Sequence, residues 1–249
     1  MKMILQFDGI LNVRDLGGIP AAGGRKIKPG LLFRGAKLDL ASDADVARLS
    51  SELRLRYVID FRDPHELQKR PDRPVPGAEY HSLPALSELP AKSPPEPGQP
   101  ERPNFEATFR RIYGQLAESE CTAAAYREFF HILLRCDGPV YWHCAQGKDR
   151  TGVAALLLLA ALGTDREAAE ADYFLSNDCL RPEMERRIAH PDLKWPPEGL
   201  EKLFLVWPEL LEIWQRRLET DYGGPIGYLT ARLGLTEENF HTLRGFYLE

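Results

Sequence analysis

Residues 139–162 read PVYWHCAQGKDRTGVAALLLLAAL, and this stretch decides the fold that we predict. Its first part, residues 139–142, is a β-branched and aromatic run that predicts a short buried strand. Its last part continues a helix that we expect to begin near residue 151. The loop HCAQGKDRTG, residues 143–152, joins the two and is called the Cys144 loop below. A strand, a tight loop and a helix in this order are typical of α/β folds with parallel strands.

The Cys144 loop combines the features of an anion site with a nucleophile. Gly147 can turn a backbone N–H toward a ligand without steric cost. Loop N–H groups and a helix N-terminus together attract an anion, and the planar guanidinium of Arg150 matches two phosphate oxygens. In such a field we expect the pKa of the Cys144 thiol to fall below the free value of about 8.5. The pattern therefore predicts a thiolate that faces a bound phosphate, placed for phosphoryl transfer.

The spacing of Cys and Arg alone is a weak signal, because the chain contains it twice. Cys121 and Arg127 have the same separation in CTAAAYR, but without a glycine or a preceding strand. We interpret Cys121 as a structural residue of an Ala-rich helix, and Cys136 and Cys179 as packing residues. The sequence contains no Cys pair or His/Cys cluster with zinc-ligand spacing.

Composition and charge narrow the class of protein. The 249 residues are 43% hydrophobic and 28% charged, which excludes a disordered chain, a collagen or a coiled-coil rod. A net charge of −5 argues against sequence-independent binding of nucleic acid. The longest apolar run, residues 153–162, is about half the length of a bilayer span, so we expect no stable membrane insertion. The N-terminus does not resemble a signal peptide. We predict a cytoplasmic protein, and leave export without a signal peptide open.

Strand-like and helical patterns alternate along the chain, which predicts an α/β fold with a mainly parallel sheet and a helical C-terminal part. We expect strands in residues 2–7, 31–34, 57–61 and 139–142. We expect helices near residues 43–54, after Pro64, and near 105–117, 122–135, 151–162, 165–175, 198–206, 208–220, 225–232 and 236–247.

Residues 87–104 form a Pro-rich segment that is typical of a loop. A linker between two domains is the alternative interpretation, but too few elements precede this segment to close a core. We therefore predict one domain over residues 1–249.

The sequence resembles a known family. The Cys144 loop resembles the P-loop of the cysteine-dependent tyrosine, dual-specificity and lipid phosphatases. Further stretches resemble a bacterial tyrosine phosphatase family with a secreted mycobacterial member: NVRDLGG (12–18), LLFRGAKL (31–38), YVIDFRDPHE (57–66), ADYFLSND (171–178) and GGPIGYL…LGLTEENFHTLR (223–244). This resemblance implies a single phosphatase domain with a four- or five-stranded sheet surrounded by helices. It also implies that a mobile lid would fall within residues 87–120.

The resemblance implies hydrolysis of phosphotyrosine, with phosphoserine and phosphothreonine as further candidates, through a phosphocysteine intermediate. A phosphoinositide phosphatase and a non-catalytic phosphate-binding module are the alternatives. A rhodanese or arsenate-reductase-like enzyme fits less well, because the Thr-Gly after Arg150 and the late position of the loop differ from their patterns. The expected partners are a phosphorylated protein or phosphoinositide, and a phosphate or sulfate ion in the Cys144 loop.

Within the site we expect Cys144 to attack phosphorus and Arg150 to stabilise the transition state. No metal or cofactor is required, because Arg150 and the loop N–H groups already neutralise the phosphate. The Thr151 hydroxyl either donates to the thiolate or satisfies its own backbone, and His143 braces the loop. The expected substrate-binding residues are Ala145, Gln146, Gly147, Lys148 and Thr151.

Lys148 has two interpretations. A second cation in the loop favours substrates with more than one phosphate, and similar lysines occur in the phosphoinositide phosphatases of the superfamily. Alternatively, Lys148 is a solvated loop residue, as most lysines are.

The general acid is the open question of the sequence. We rank Asp149 first, because it lies inside the loop beside Arg150, as in the myotubularin lipid phosphatases. Glu88, the one acid of the segment 81–90, is second. Asp60 and Asp63 are third, since they follow a strand expected to end at the same sheet edge as the loop. For Asp63 we favour helix capping before Pro64.

Arg14 and Asp15, in NVRDLGG, also have two interpretations. One is a buried ion pair and turn that hold the N-terminal hairpin. The other is support of the Cys144 loop from behind, because active-site loops need bracing.

Overall fold

The strand that ends at Cys144 lies in the middle of the sheet. The computed structural model describes residues 3–86, 104–190 and 197–249, and six strands form one sheet in it, in the order β1-β2-β3-β6-β4-β5. The strands are β1 Met3–Ile4, β2 Arg14–Asp15, β3 Leu32–Ala36, β4 Tyr57–Asp60, β5 Glu79–Ser82 and β6 Val140–Cys144. Strands β3, β6, β4 and β5 pair in parallel, and β1 and β2 extend the sheet antiparallel beside β3.

The predicted mainly parallel sheet is therefore confirmed. The register pairs Ala36 of β3 with Cys144 and Asp60 of β4 with His143, so three strands end at one edge. The sequence pattern did not predict β5. Three of its four residues are exposed, so it lacks the apolar run that marks the buried strands.

Helices follow most strands. They are α1 Asp43–Ala47, α2 Pro64–Lys69, α3 Phe105–Glu118, α4 Glu120–Arg135, α5 Arg150–Leu162, α6 Arg166–Ile188, α7 Pro197–Phe204, α8 Pro208–Tyr222, α9 Pro225–Gly227 and α10 Glu237–Tyr247. A π-helical turn, Arg48–Glu52, continues α1, and another, Tyr228–Arg232, continues α9. All ten predicted helical regions contain helix.

Both faces of the sheet are covered, because side chains alternate along β6. Val140 and Trp142 belong to the large apolar cluster that also contains residues of α3, α4, α5, α8 and α10. Tyr141 points the other way, into a smaller cluster with Phe33 and Val58. Helix α5 is buried at every position except Ala160, as its nearly continuous apolar sequence requires. The core thus holds the Cys144 loop at both of its ends.

Helix α6 differs from its prediction, and most of the predicted Pro-rich loop lies outside the described residues. Helix α6 runs to Ile188 instead of ending near residue 175, although Pro182 lies inside it and removes one backbone donor. Ion pairs of Glu183 with Arg186 and Arg187 support its last turns. The predicted Pro-rich loop lies outside the described residues except for Asn104, which caps α3 by accepting from the N–H of Ala107 at 2.9 Å. Among the described helices, none is long and apolar enough to cross a bilayer.

Candidate active site

The Cys144 loop is a sharp turn between the end of β6 and the start of α5. Cys144 is the last residue of the strand and Arg150 is the first residue of the helix. Gly147 lies between them with φ of 70°. A Cβ at this position would lie 2.1 Å from the carbonyl oxygen of Gly35. The left-handed backbone and the close contact with β3 both require glycine.

Side chains from outside the loop hold its carbonyl groups. Asn12 Nδ2 donates to the carbonyls of Gln146 and Gly147, at 3.0 and 3.1 Å. Arg34 Nη2 also donates to the Gly147 carbonyl, at 2.9 Å. Within the described part of the chain, none of the N–H groups of residues 145–149 donates a hydrogen bond. These unpaired donors and the N-terminus of α5 lie in one loop, which is the arrangement that binding of an anion requires.

Cys144 is buried, and its surroundings favour the thiolate. Burial alone would raise the pKa of the thiol, but Arg150 and the hydroxyl and N–H of Thr151 outweigh burial and lower the pKa below its ordinary value. The Thr151 hydroxyl is buried and has no nitrogen or oxygen partner among the described residues. Of the two interpretations of Thr151, the geometry thus favours the thiolate over its own backbone.

Arg150 is fixed before any substrate binds. Its Nη1 donates to Glu66 Oε2 at 2.5 Å and to the Phe61 carbonyl at 3.3 Å, and its Nη2 donates to Glu66 Oε1 at 2.9 Å. A guanidinium has five N–H donors. Contacts among the described residues use three of them, which leaves the Nε–H and one Nη2–H, side by side on one edge of the fork. That edge matches two oxygens of a phosphate.

Glu66 is a site residue that the sequence analysis did not identify. Asp63 caps α2 by accepting from the N–H groups of His65 and Glu66, and Glu66 Oε2 accepts in return from the Asp63 N–H at 3.1 Å. This capping box turns Glu66 toward Arg150. The signal was present, since Asp followed three residues later by Glu is typical of a capping box. The pairing of Glu66 with Arg150 could not be predicted from that spacing.

Asp149 occupies the N-cap position of α5 but does not cap the helix. Its carboxylate instead accepts from the Tyr113 hydroxyl on α3, at 2.8 Å. The ammonium group of Lys148 lies 3.2 Å from both carboxylate oxygens. The carboxyl is therefore held beside the loop, and its side chain is 16% exposed.

Lys148 is buried, so its interpretation as a solvated loop residue is wrong. Besides Asp149, its ammonium donates to the Leu205 carbonyl at 3.3 Å and lies 4.4 Å from the centre of the Phe109 ring. The side chain is 1% exposed. The positive charge is thus already balanced by a carboxylate, a carbonyl and an aromatic face.

Arg14 combines both of its predicted roles, but with a different partner. Its Nε pairs with Asp172 of α6 at 2.7 Å, and its Nη1 donates to Asn12 Oδ1 at 2.6 Å. Arg34 Nη1 lies 2.7 Å from the other oxygen of Asp172. Both arginines thereby connect α6 with the loop carbonyls. Asp15 does not pair with Arg14 but accepts from two backbone N–H groups, which fits the turn interpretation.

The surroundings of Asp60 argue against it as the general acid. It is fully buried, and its carboxylate accepts from Arg62 and from the Tyr80 hydroxyl at 2.7 Å. Burial alone would raise its pKa, but His143 and Arg62 outweigh burial and hold the pKa well below its usual value. Such a carboxyl has no proton to give near neutral pH. Asp63 caps α2 through its Oδ1, which agrees with the capping interpretation. Glu88 lies outside the described residues.

His143 supports the loop from behind, as predicted. Burial alone would lower its pKa, but Asp60 and Asp72 outweigh burial and raise it. Its Nδ1 lies 3.2 Å from the Cys144 carbonyl, and its Nε2 lies 3.1 Å from Asp72 Oδ2. Asp60, Asp72 and His143 also place three potential metal ligands together. Arg62, however, lies 2.6 and 2.8 Å from the two carboxylates, so a cation already occupies this cluster.

The second copy of the Cys and Arg spacing is structural, as predicted. Cys121 and Arg127 lie within α4. The thiol of Cys121 donates to the Pro84 carbonyl at 3.1 Å, and Arg127 donates to the Arg232 carbonyl at 3.1 Å. Neither residue reaches the Cys144 loop through any described contact.

Comparisons with known proteins agree with this geometry. The model of the tyrosine phosphatase family matches residues 5–249. A Cupriavidus necator protein classed as a tyrosine-protein phosphatase is 34% identical over 257 residues, which cover 98% of this chain and 88% of that protein. The triple specificity protein phosphatase PtpB of Mycobacterium tuberculosis is 28% identical over 280 residues, covering 98% of this chain and 99% of PtpB.

Among solved structures, the core catalytic domain of the PP-IP phosphatase SIW14 from S. cerevisiae, in complex with citrate, is 13% identical and covers 74% of this chain and 86% of its own, with a TM-score of 0.33. That score is too low to support a conclusion. The family model matches nearly the whole chain, and the C. necator relative is similar along 98% of it, so the chain belongs to the tyrosine phosphatase family and is a cysteine-dependent phosphatase.

Proposed function

We propose that the protein hydrolyses phosphotyrosine in proteins, with Cys144 as nucleophile. The observation that carries this proposal is the environment of Cys144. Its lowered thiol pKa coincides with a loop whose N–H groups at 145–149 have no partner in the described chain. The names of both relatives, a tyrosine-protein phosphatase and a triple specificity protein phosphatase, support a protein substrate. Within the described residues there is one sheet with one loop of this kind, which supports our proposal of a single phosphatase domain over residues 1–249.

In the first step, the Cys144 thiolate attacks phosphorus and forms an S–P bond while the ester P–O bond breaks. The free Nε–H and Nη2–H of Arg150 bind two equatorial oxygens, and the N–H groups of residues 145–149 bind the remaining charge. The leaving phenolate takes a proton and departs as the tyrosine hydroxyl. Ala145, Gln146, Gly147, Lys148 and Thr151 form the wall of this pocket.

We assign the proton donor to Asp149. Its carboxyl is not used to cap α5, remains partly exposed, and is held beside the loop by Tyr113. Among the acids weighed from the sequence, Asp60 and Asp63 are committed to other contacts. An acid at this position moves with the loop and needs no separate closure of the site.

In the second step, water attacks phosphorus, the S–P bond breaks, and its electron pair returns to sulfur. Asp149, now ionised, accepts the proton of the attacking water, and the product leaves as inorganic phosphate. The Thr151 hydroxyl, which has no oxygen or nitrogen partner among the described residues, stabilises the departing thiolate. No step requires a metal or cofactor.

Hydrolysis of phosphoinositides is the second candidate, and Lys148 is the residue that favours it. A second cation in the loop suits a substrate with more than one phosphate. In this structure, however, its ammonium is paired with Asp149 and buried against Phe109. A lipid substrate would have to displace these contacts, and phosphotyrosine would not. We therefore place phosphotyrosine first.

A substrate panel on purified protein tests the proposal. We expect phosphotyrosine peptides to be hydrolysed with the highest kcat/KM, above phosphoserine and phosphothreonine peptides and phosphoinositides. Cys144→Ser should abolish turnover but still bind inorganic phosphate, because only the attacking atom changes. Cys121→Ser is the matched control and should leave turnover unchanged. A preference for phosphoinositides would overturn the assignment of the substrate, and full activity of Cys144→Ser would overturn the assignment of the nucleophile.

A further inference from the structure

A chain of two buried hydroxyl groups ends on the carboxylate of Asp149. Tyr113 of α3 donates to Asp149 Oδ1 at 2.8 Å, and the hydroxyls of Tyr113 and Tyr173 lie 2.5 Å apart. Both rings are fully buried. The three residues come from three different helices, α3, α6 and the N-cap of α5, so the chain exists only when these helices pack together.

The direction of this chain follows from the chemistry of its groups. Burial, which is the largest cause, and the charge of Asp149 raise the pKa of both tyrosines well above the ordinary value, so both are neutral phenols. A phenol has one proton to donate. Because Tyr113 gives its proton to the carboxylate, its oxygen accepts the proton of Tyr173. Neither hydroxyl can turn away without leaving a buried polar group unpaired.

The position of Asp149 gives an independent reason to assign a role to this contact. Acidic residues at the start of a helix usually accept from the helix's own N–H groups. Asp149 stands at this position, but its side chain makes no such bond. Its carboxyl instead points to α3, where Tyr113 fixes one oxygen. Helix α5 therefore loses a stabilising cap, and the carboxyl gains a defined position beside Cys144.

We propose that Tyr113 is a positioning residue for proton transfer: its hydroxyl fixes Oδ1 of Asp149, so that Oδ2, which also lies 3.2 Å from the Lys148 ammonium, carries the proton to the leaving group. This inference rests on the proposed role of Asp149. It assigns a role to α3, which the sequence analysis did not connect with the chemistry. Tyr173 supports the arrangement by donating to the Tyr113 oxygen.

The test compares two esters. Proton donation matters for phenyl phosphate, whose leaving group is poor, and much less for a fluorinated umbelliferyl phosphate, whose leaving group is good. Tyr113→Phe removes one hydrogen bond to a charged group, so we expect kcat on phenyl phosphate to fall about tenfold more than kcat on the fluorinated ester.

Tyr247→Phe is the matched control. Tyr247 is also buried, and its hydroxyl donates to the Leu133 carbonyl at 2.8 Å. Tyr247 makes no described contact with the Cys144 loop. Removing the Tyr247 hydroxyl should leave the ratio of kcat on the two esters unchanged. A general loss of packing would affect both tyrosine variants alike, so a selective effect in Tyr113→Phe alone identifies the contact with Asp149.

Asp149→Asn separates the inference from the proposed function. If Asp149→Asn is selective for phenyl phosphate and Tyr113→Phe slows both esters equally, Asp149 remains the acid and the role of Tyr113 is refuted. If Asp149→Asn is itself unselective, both assignments fail, while an inactive Cys144→Ser still supports the phosphatase reaction. The double variant should be no more selective than Asp149→Asn alone. If Tyr113→Phe does not fold, Tyr173→Phe should show a smaller selective loss of kcat on phenyl phosphate. If Tyr173→Phe then slows both esters equally, the inference is refuted.

Discussion

At the scale of single residues, Arg150 illustrates how a group that we propose to be catalytic is held in place before the substrate binds. Glu66 occupies both nitrogens at the end of the guanidinium and leaves one edge for the substrate. Burial alone would raise the pKa of Glu66, but its hydrogen bonds and the charge of Arg150 outweigh burial and lower the pKa. Glu66 therefore stays ionised at neutral pH, and the fork does not have to be ordered when a phosphate arrives, which reduces the entropy lost on binding.

We predict a graded loss of activity at this pair. Arg150→Lys keeps the charge but loses the planar fork, so kcat should fall about 10²-fold or more. Glu66→Gln keeps the shape but loses a charged partner, so kcat should fall about tenfold. Steady-state kinetics on a phosphotyrosine peptide measures both. Glu128→Gln, which breaks a surface pair with Arg135, should have no effect. A Glu66→Gln variant as active as the wild type would show that the pair does not orient Arg150.

At the scale of elements, the β6–α5 connection depends on one backbone position. The loop passes so close to β3 that the carbonyl of Gly35 occupies the place of a Cβ at residue 147. Asn12 and Arg34 then hold the loop carbonyls from the same side. Because this anchoring uses only carbonyls, the N–H groups of residues 145–149 have no acceptor in the part of the chain that the structure describes. The end of β6, the contacts of Asn12 and Arg34, and the start of α5 therefore determine the shape of the proposed anion site together.

Gly147→Ala should show this dependence. The new Cβ would displace a backbone atom of β3, and the alanine would have to keep a left-handed φ. We therefore expect a loss of about 3 kcal/mol or more in the free energy of unfolding, and weak phosphate binding. Urea unfolding and phosphate titration measure the two effects. Gly77→Ala is the control, since Gly77 also has a positive φ, of 85°, but open space around its Cβ position. It should lose only about 1 kcal/mol. Equal losses in both variants would mean that the contact with Gly35 is unimportant.

At the scale of the whole molecule, one buried acid connects the helical part with the sheet. Asp172 of α6 pairs with Arg14 of β2 and Arg34 of β3, and both arginines lead to the Cys144 loop. Burial alone would raise the pKa of Asp172, but the two arginines outweigh burial and lower it. The stability from this group is therefore present above the usual pKa of a carboxyl, and it is lost as the pH falls through the lowered value.

Asp172→Asn should be strongly destabilising, because it leaves two buried arginines without a counter-charge. We expect a loss of about 3–5 kcal/mol in the free energy of unfolding at neutral pH. The difference from the wild type should shrink under acid conditions, where the wild-type carboxyl also takes up a proton. Urea unfolding across a pH series measures both effects. Glu185→Gln, at an exposed position of α6, is the control and should cost about 1 kcal/mol or less. A constant difference across the series would contradict the assignment of Asp172.

The sequence predicted the parts of the fold and the site that are local in the chain. The run of residues 139–162 defined β6, the loop and α5, and Gly147 with Arg150 indicated the anion site. The contacts that fix the site are not local. Glu66 and Arg150 are 84 residues apart, and Arg14 and Asp172 are 158 residues apart. Their pairing depends on strand order and helix packing, which no spacing in one sequence reveals. For the same reason, the partner of Asp149 on α3 could not be predicted.

The order of the strands has a consequence for how the chain folds as it is synthesised. Strand β6 lies between β3 and β4, yet it follows β4 by about eighty residues in the sequence. Until the ribosome has made residue 144, the facing edges of β3 and β4 have no partner, and their backbone groups remain open to other chains. Insertion of β6 closes both edges in one step. The strand that carries Cys144, the proposed nucleophile, is thus also the one that completes the sheet, so a nascent chain acquires this cysteine and its protected edges together.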